Sequence, residues 1–489
     1  MALDGVNITL NIQNNTDYPQ EINIMGNPSD LLDTVNATTE YRWDVSAFSF
    51  TNEDSVTIQY KPNVSATFSV FTAALQGDNL TSVVYALNEL GIGYFNLYTV
   101  LGVTYIGTYN QNYIFGDMNI YSSTTPVRGI NSNFISGTGF PPDVYQVASD
   151  SFGNIFAVGA TSLYNGTAIH NIAKINSVGI LDAAFNTNAK VVIPFGDIIQ
   201  DVILQPDGKV ILGCAGGVSN YLIRLNTDGT NDATFVTGTN FDGNDYSLFL
   251  QADSKILVGG IFTNYDGNSC NGLARINSDG SFDATLNIGT GFNDSNSGST
   301  GVNVVYEQPD GKILVGGTFD SYNGSPAHGI IRLNSDGTVD GTFNIGTGIN
   351  TISDTINTIA IQAPDKILLG GRFPSFNSTS ANNIIMLNAD GSIDGAFVYG
   401  TGFDSTVNSI VIQTDAKILV GGAFSLYNGV SYLNIVRLNT NGSVDTAWSI
   451  GGFNSDVSAM TISSNTVICV GGFTSFNGTP QIRISDLYI

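Results

Sequence analysis

A twelve-residue block returns seven times in this chain, and that return limits the fold more than any other feature. Its clearest copy is "QPDGKILVGGTF", Gln308 to Phe319. Other copies begin at Gln205 ("QPDGKVILG"), Gln251 ("QADSKILVGGIF"), Gln362 ("QAPDKILLGGRF") and Gln413 ("QTDAKILVGGAF"), with weaker ones at Ser149 and Ser463. The glycine closing the apolar run falls at Gly159, Gly213, Gly259, Gly316, Gly370, Gly421 and Gly471, at intervals of 54, 46, 57, 54, 51 and 50 residues. A period of this size marks an array of supersecondary units, each burying its apolar face only against its neighbours.

The block also invites a phosphate-loop reading, which its spacing excludes. Such a loop needs G-x-x-x-x-G-K-[ST], so that backbone N–H groups cradle phosphates and a hydroxyl holds the metal. Here Lys312 is followed by Ile313, and no glycine lies five residues before Gly311. The glycines and the lysine therefore belong to a fold.

Each repeat keeps one internal order. An alternating run such as "VNSIVIQT" from Val407 precedes the "KILVGGxF" run. An aromatic and a polar turn follow, as in "SYNG" at Ser321. Then come "GIIRLNSDG" at Gly329 and "TVDGTFNIGTG" at Thr338. These are four strand-length apolar runs separated by Asn-Gly and Asp-Gly, dipeptides suited to the positive φ of tight hairpin turns. The order predicts seven four-stranded blades of a β-propeller. "NSNFISGTGF", Asn131 to Phe140, matches the end of a repeat ("DATLNIGTGF" from Asp283), while the last repeat stops at "QIRISDLYI". The expected closure is one blade shared by N- and C-terminal strands, with Asn133 to Ser136 pairing beside Ile482 to Ser485. Pairing there removes open edges, which invite aggregation.

"DGKILVGGxF", "RLNSDG" and the "GTGF" segments resemble the delta-60 repeat, a family of β-propellers with no assigned function found in bacterial surface and phage proteins. The resemblance covers Pro126 to Ile489. It implies the propeller fold and supplies no catalytic residues.

Composition narrows the partners. Only 12% of residues are charged, and the net charge is −25. Lys209, Lys255, Lys312, Lys366 and Lys417 share one repeat position; Lys174, Arg224, Arg275, Arg332, Arg437 and Arg483 share another, so eleven of the 16 basic residues are repeat-locked. The repeated turn residues Asp228, Asp279 and Asp336 are their expected partners. No basic cluster suits nucleic acid, an anionic membrane surface repels such a chain, and no apolar run reaches the length of a bilayer span. "MALDGVNITL" lacks the basic start and apolar core of a signal peptide. Cys214, Cys270 and Cys469 fall in different repeats and read as free thiols. His170 and His328 sit at one repeat position on different blades, so no shared metal or catalytic pair is expected. Acidic turns such as "NSDGSFD" at Asn277 resemble calcium loops but lack the terminal bidentate Glu; they read as Asp-Gly hairpins.

Met1 to Thr125 holds no copy of the repeat and reads as a separate small β-rich α+β domain. "VNITLNIQNN", "DSVTIQY" and "ATFSVFTAAL" read as strands, as does the aromatic-rich pair in "VTYIGTYNQNYIFGDMNIY". "DNLTSVVYALNELG", Asp78 to Gly91, reads as a capped amphipathic helix. "LNIQNNTDYPQEINIMG" and "ALNELGIGYF" are similar to segments of phage virion proteins.

The sequence thus predicts a mainly β chain, with 1–125 as an anchoring domain and 126–489 as a seven-bladed propeller. The expected function is a non-enzymatic structural or adhesion component of a phage virion (fibre, spike or decoration), located on the particle, with no cofactor, catalytic residue or metal. Expected partners are other virion proteins through the N-terminal domain and a host surface glycan or protein, with room for a homo-oligomer. The longest inter-repeat loop, "GFNDSNSGSTG" from Gly291, places the candidate contacts at Phe292, Asn293, Asp294 and Asn296; the competing reading is an inert insertion. The alternative function is a polysaccharide hydrolase or lyase with two carboxylates in the channel.

Overall fold

The fold comes from a computed structural model. It describes residues 129–489 except 132, 142, 195, 216–219, 294–300, 350–353 and 363 and the side chains of 245 and 246, together with the backbone of eight strands nearer the N-terminus. The chain divides into two compact units, Met1–Val127 and Arg128–Ile489.

All eight described elements of the first unit are strands. Ile8–Gln13, Ser55–Tyr60 and Ser69–Ala74 make one antiparallel sheet with Ser55–Tyr60 central. Glu40–Asp44, Leu80–Leu87, Gly93–Thr99, Val103–Thr108 and Asn119–Ser122 make a second, in that order. The helix expected over Asp78 to Gly91 is instead the strand Leu80–Leu87, paired with Glu40–Asp44 and with Gly93–Thr99. Thr81, Val83, Val84 and Tyr85 lose rotamer freedom in a helix and fit a pleated surface. The apolar run was short enough to satisfy either period.

The second unit is built of seven three-stranded antiparallel sheets, each with its middle strand in sequence at the centre. Sheet 1 is Val144–Ser149, Ile155–Gly159 and Ile172–Ile175. Sheet 2 is Ile198–Leu204, Val210–Ala215 and Asn220–Leu225. Sheet 3 is Asn244–Leu250, Ile256–Ile261 and Leu273–Ile276. Sheet 4 is Gly301–Glu307, Ile313–Thr318 and Ile330–Leu333. Sheet 5 is Thr355–Gln362, Lys366–Arg372 and Ile384–Leu387. Sheet 6 is Val407–Ile412, Ile418–Gly422 and Ile435–Leu438, and sheet 7 is Val457–Ser463, Thr466–Gly471 and Ile484–Tyr488. The one described helix, Ala183–Val192, is an insertion after sheet 1, capped where the Asp182 carboxylate accepts from the Phe185 amide.

The expected fourth strand shrinks to a single bridge. The third strand of each of the first six sheets bridges a residue just past the Asp-Gly turn, as in Ile276↔Phe282 and Leu333↔Val339. The chain then leaves the sheet, because the next Asp turns inward and the Phe amide bonds back to its carbonyl (Phe343 N to Asp340 O, 3.1 Å). Middle strands are buried along their length, as in Ile313–Thr318. Their first glycine makes room for the next sheet: a Cβ on Gly316 would lie 2.8 Å from Ile356 Cγ2, and one on Gly259 2.5 Å from Val302 Cγ1. Pairing registers place Val158 and Val470, not Gly159 and Gly471, at this position in sheets 1 and 7. Each first strand packs against the next sheet's first strand, and that of sheet 7 packs against that of sheet 1.

Sheets 7 and 1 meet through side-chain and backbone bonds. The Ser149 hydroxyl donates to Ile462 O (2.9 Å), and Arg483 pairs with Asp143 (3.1 Å). Leu487 bridges Ile130, the Asn131 amide donates to Asp486 O (2.7 Å), and the Tyr488 amide donates to Gly129 O (2.9 Å). The pairing thus lies at 129–131 with 486–488, not at Asn133 to Ser136 with Ile482 to Ser485. Asn133 to Ser136 instead turns away, with Phe134 N on Asn131 O and Ile135 N on Val178 O. The register also shows that Asp486, not Arg483, occupies the repeated basic position: Asp486 faces Ile468 as Arg332 faces Leu314. Asn131 takes the place of the inward Asp and donates Nδ2 to the Asp486 carboxylate at 2.7 Å.

Two predictions follow from these joints. Gly316→Ala should destabilise the unit by about 1–3 kcal/mol through overpacking against Ile356 and Val304, read as a lower urea midpoint. Burial pushes the Asp486 carboxyl up to about 6. A carboxyl raised on folding contributes stability present below its unfolded pKa and lost as pH rises through the folded one. Asp486→Asn should therefore leave stability near pH 4 unchanged and raise it by about 2 kcal/mol above pH 7; equal effects at both pH values would refute the assignment.

Candidate functional site

The most ordered chemistry in the described residues is a buried charge cluster repeated from sheet to sheet. In sheet 3 the Asp283 carboxylate accepts from Arg275 Nε at 2.6 Å and lies 2.9 Å from Lys255 Nζ. Asp232 holds Arg224 (2.6 Å) and Lys209 (2.9 Å), and Asp340 holds Arg332 (2.7 Å) and Lys312 (3.2 Å). Asp445 holds Arg437 and Lys417, whereas Asp394 holds Lys366 alone because Met386 replaces the arginine. The second carboxylate oxygen of Asp283 accepts from the Thr285 hydroxyl and amide. Desolvation opposes these charges, yet the hydroxyl, lysine and arginine contacts together hold Asp283 well below the usual carboxylate range. Every oxygen of the cluster is thus spent inside it.

The expected partners Asp228, Asp279 and Asp336 are not part of these clusters. They are exposed and cap their own turns, as where Asp279 accepts from the Ser281 hydroxyl (2.6 Å) and amide (3.0 Å). The turn carboxylate is closer in sequence to the basic residue, but the Asp four residues on is the one the chain path turns inward. These turn oxygens are committed to local bonds, as a hairpin reading requires.

The loop residues separate. Phe292 is fully buried and stacks on Phe319 and Tyr322 with ring centroids 4.7 Å away in each case, so it is core and cannot meet a partner with its ring. Its counterparts Phe140, Phe241, Phe403 and Phe453 stack on aromatics in the same way. Asn293 is exposed, and its carbonyl accepts from the Asp320 amide. Asp242 and Asp404 hold the same repeat position, where their carboxylates cap the following hairpin. Asp294 and Asn296 lie outside the described residues.

Other reactive groups stand apart. His170, beyond sheet 1, bonds Ile193 O through Nδ1, while His328 lies before the third strand of sheet 4. Cys214, Cys270 and Cys469 are buried free thiols. No group of three or more His, Cys, Asp or Glu able to hold a metal occurs among the described residues. Sequence reasoning missed Asp201, a buried carboxyl on the first strand of sheet 2 whose acidity burial shifts to about 7. Its oxygens accept from the Val202 amide (2.7 Å) and, across to sheet 3, the Leu248 amide (2.6 Å). Ser247 and Ser409 join their neighbouring sheets from the same position, which was the available signal.

Residues 205–235, 251–286, 308–343, 363–397 and 413–447 match the model of the family described as a domain of unknown function (DUF5122) beta-propeller. The C-terminal part of the chain is a run of such repeats. Among solved structures, it is similar to the WD40 beta propeller domain of Doa1 at 14% identity, covering 68% of this chain and 91% of that one with a TM-score of 0.44. It is also similar to PorZ, a bacterial surface component of the type-IX secretion system of Porphyromonas gingivalis, at 10% identity, covering 89% of this chain and 64% of that one with a TM-score of 0.39. No curated protein matches the sequence.

Within these repeats the inward Asp is the residue the cluster depends on. Asp283→Asn should cost about 3 kcal/mol, because it leaves Arg275 buried without its countercharge, whereas Asp279→Asn at the exposed turn should change stability by under about 0.5 kcal/mol. A carboxylate depressed on folding contributes stability present above its unfolded pKa and lost as pH falls. The Asp283 variant should therefore differ most from the parent at neutral pH and converge with it in acid, as read by urea unfolding.

Proposed function

We propose that this chain is a non-enzymatic structural and adhesion component of a phage virion, of the fibre, spike or decoration kind. Arg128–Ile489 is read as a closed seven-bladed propeller displayed for host-surface binding, and Met1–Val127 as the unit that docks to other virion proteins. The observation that carries this reading is the use made of charge: repeated Arg, Lys and Asp side chains are spent on the frame, which leaves a rigid scaffold whose exposed loops are free to vary. Two compact units, one with the repeats and one without, suit an anchor followed by a head. The chain's acidity disfavours nucleic acid and anionic membrane, and no described helix is long and apolar enough to cross a bilayer. The loop after Phe292, from Asn293 onward, is the proposed host contact.

The polysaccharide hydrolase or lyase reading has Asp201 in its favour, a carboxyl with the raised acidity of a general acid. Both of its oxygens, however, take amide protons of the scaffold.

Particles from a host that carries this chain should yield its peptides by mass spectrometry at a fixed ratio to the other structural proteins. The N-terminal unit expressed alone should incorporate into them, and the propeller alone should bind host cells without cleaving their glycans. Incorporation of the propeller but not the N-terminal unit, or glycan turnover by the pure protein, would overturn the reading.

A further inference from the structure

The repeats supply their own template for a binding site. In sheets 2, 3 and 4 an arginine and a backbone amide together read two consecutive carbonyls in the Asp-Gly turn of the next sheet. Arg224 NH1 donates to Ser278 O at 2.6 Å, and the Val236 amide donates to Asp279 O at 2.7 Å. Arg275 and the Asn287 amide take Ser335 O and Asp336 O at 2.7 and 2.8 Å. Arg332 and the Asn344 amide take Ala389 O and Asp390 O, both at 2.7 Å.

Sheet 6 carries the same two donors, Arg437 and the amide of Ser449. The strand segment beside Leu487 of sheet 7 is Ile130, which comes from far earlier in the chain. No Asp-Gly turn among the described residues therefore stands over Arg437. Its Nε and NH2 are held by Asp445, as in the other clusters. Neither NH1 nor the exposed Ser449 amide reaches a carbonyl as its counterparts do. A cleft of about 330 Å³ opens at this place, lined by Arg437, Gln413, Thr414, Asn465 and Tyr488 among others. Gln413 is buried and its Oε1 has no hydrogen-bond partner. Gln205 and Gln251 share that orphan, so the guanidinium and the amide are what set this cleft apart.

We propose that the cleft between sheets 6 and 7 binds a tight X-Asx-Gly turn of a partner polypeptide, reading its two consecutive carbonyls with Arg437 and the Ser449 amide. Its volume is at the low end for ligand pockets and suits a few residues. The charge balance favours a neutral acceptor over a free anion, since Asp445 already engages Arg437 and Asp415 also lines the cleft. The inference rests on the repeat geometry and is independent of a place on a particle.

Trp448 is a built-in reporter. Its ring lies 5.1 Å from the Arg437 guanidinium carbon, and its Nε1 donates to Tyr488 O at 3.1 Å. In full-length protein carrying Trp43→Phe, a cyclic peptide presenting Asn-Thr-Asn-Gly-Ser, the turn of residues 439–443, should change Trp448 fluorescence saturably. The same peptide with Val for Gly should not, because the turn needs positive φ. Arg437→Met should weaken binding at least tenfold. Thr414→Phe, which fills the cleft from its exposed rim and leaves Arg437 in place, should abolish it. No saturable change at millimolar peptide, or binding undiminished in Thr414→Phe or in a folded Arg437→Met variant, would overturn the proposal.

Discussion

The bond between a buried arginine and an inward-turned aspartate orders most of the second unit. Asp283 stops the chain from continuing as a fourth strand, and the Leu286 that follows is seated in the core. Arg275 uses its remaining N–H groups on Thr285 and on the turn of the next sheet. One residue thus fixes the end of its own sheet and the position of its neighbour. Buried ion pairs are costly to desolvate and tolerable only when each charge is fully bonded. Here the lysine, the threonine hydroxyl and the neighbouring carbonyl complete the bonding, which explains why these residues recur together.

The joint between sheets 7 and 1 departs from that chemistry. Asp486 stands where an arginine would, and Asn131 where an aspartate would. The hydrogen-bond partners are kept while the charges are removed or reversed. Asp486 Oδ1 remains an orphan, consistent with a carboxyl that is comfortable only when protonated. The Arg483–Asp143 pair, at the surface, supplies the cross-joint contact that a buried arginine provides elsewhere. Because this strand neighbour comes from another part of the chain, the Asp-Gly turn is missing here, and the donors that would read it face a cleft.

Much of this was legible in the residues. The period of the KILVGG block announced the sheets, because a both-faces-buried strand is apolar without alternation. The tight packing behind Gly316 explains why glycine recurs there. The segment Asn131 to Phe140 was recognisable as a displaced repeat end. Its pairing register was not, since a repeat match aligns side-chain roles and says nothing of which backbone atoms meet. Leu80–Leu87 shows the same limit: eight residues with apolar spacing that suits a helix became a strand because two flanking strands satisfy its backbone. Phe292 looked like the head of a variable loop, yet it is the last core residue before that loop.

The sequence by itself determined the repeat, its mainly β character, its acidity and the identity of the residues that each repeat reuses. Those properties are local or additive, and a single chain states them directly. Tertiary structure alone decided which aspartate meets the arginine, where the two ends of the array pair, and which arginine is left without a turn to hold. Each of those depends on distances between residues about fifty or more positions apart in the chain, as between Arg275 and Ser335, and such distances are set by how neighbouring sheets stack, which no short stretch of sequence specifies.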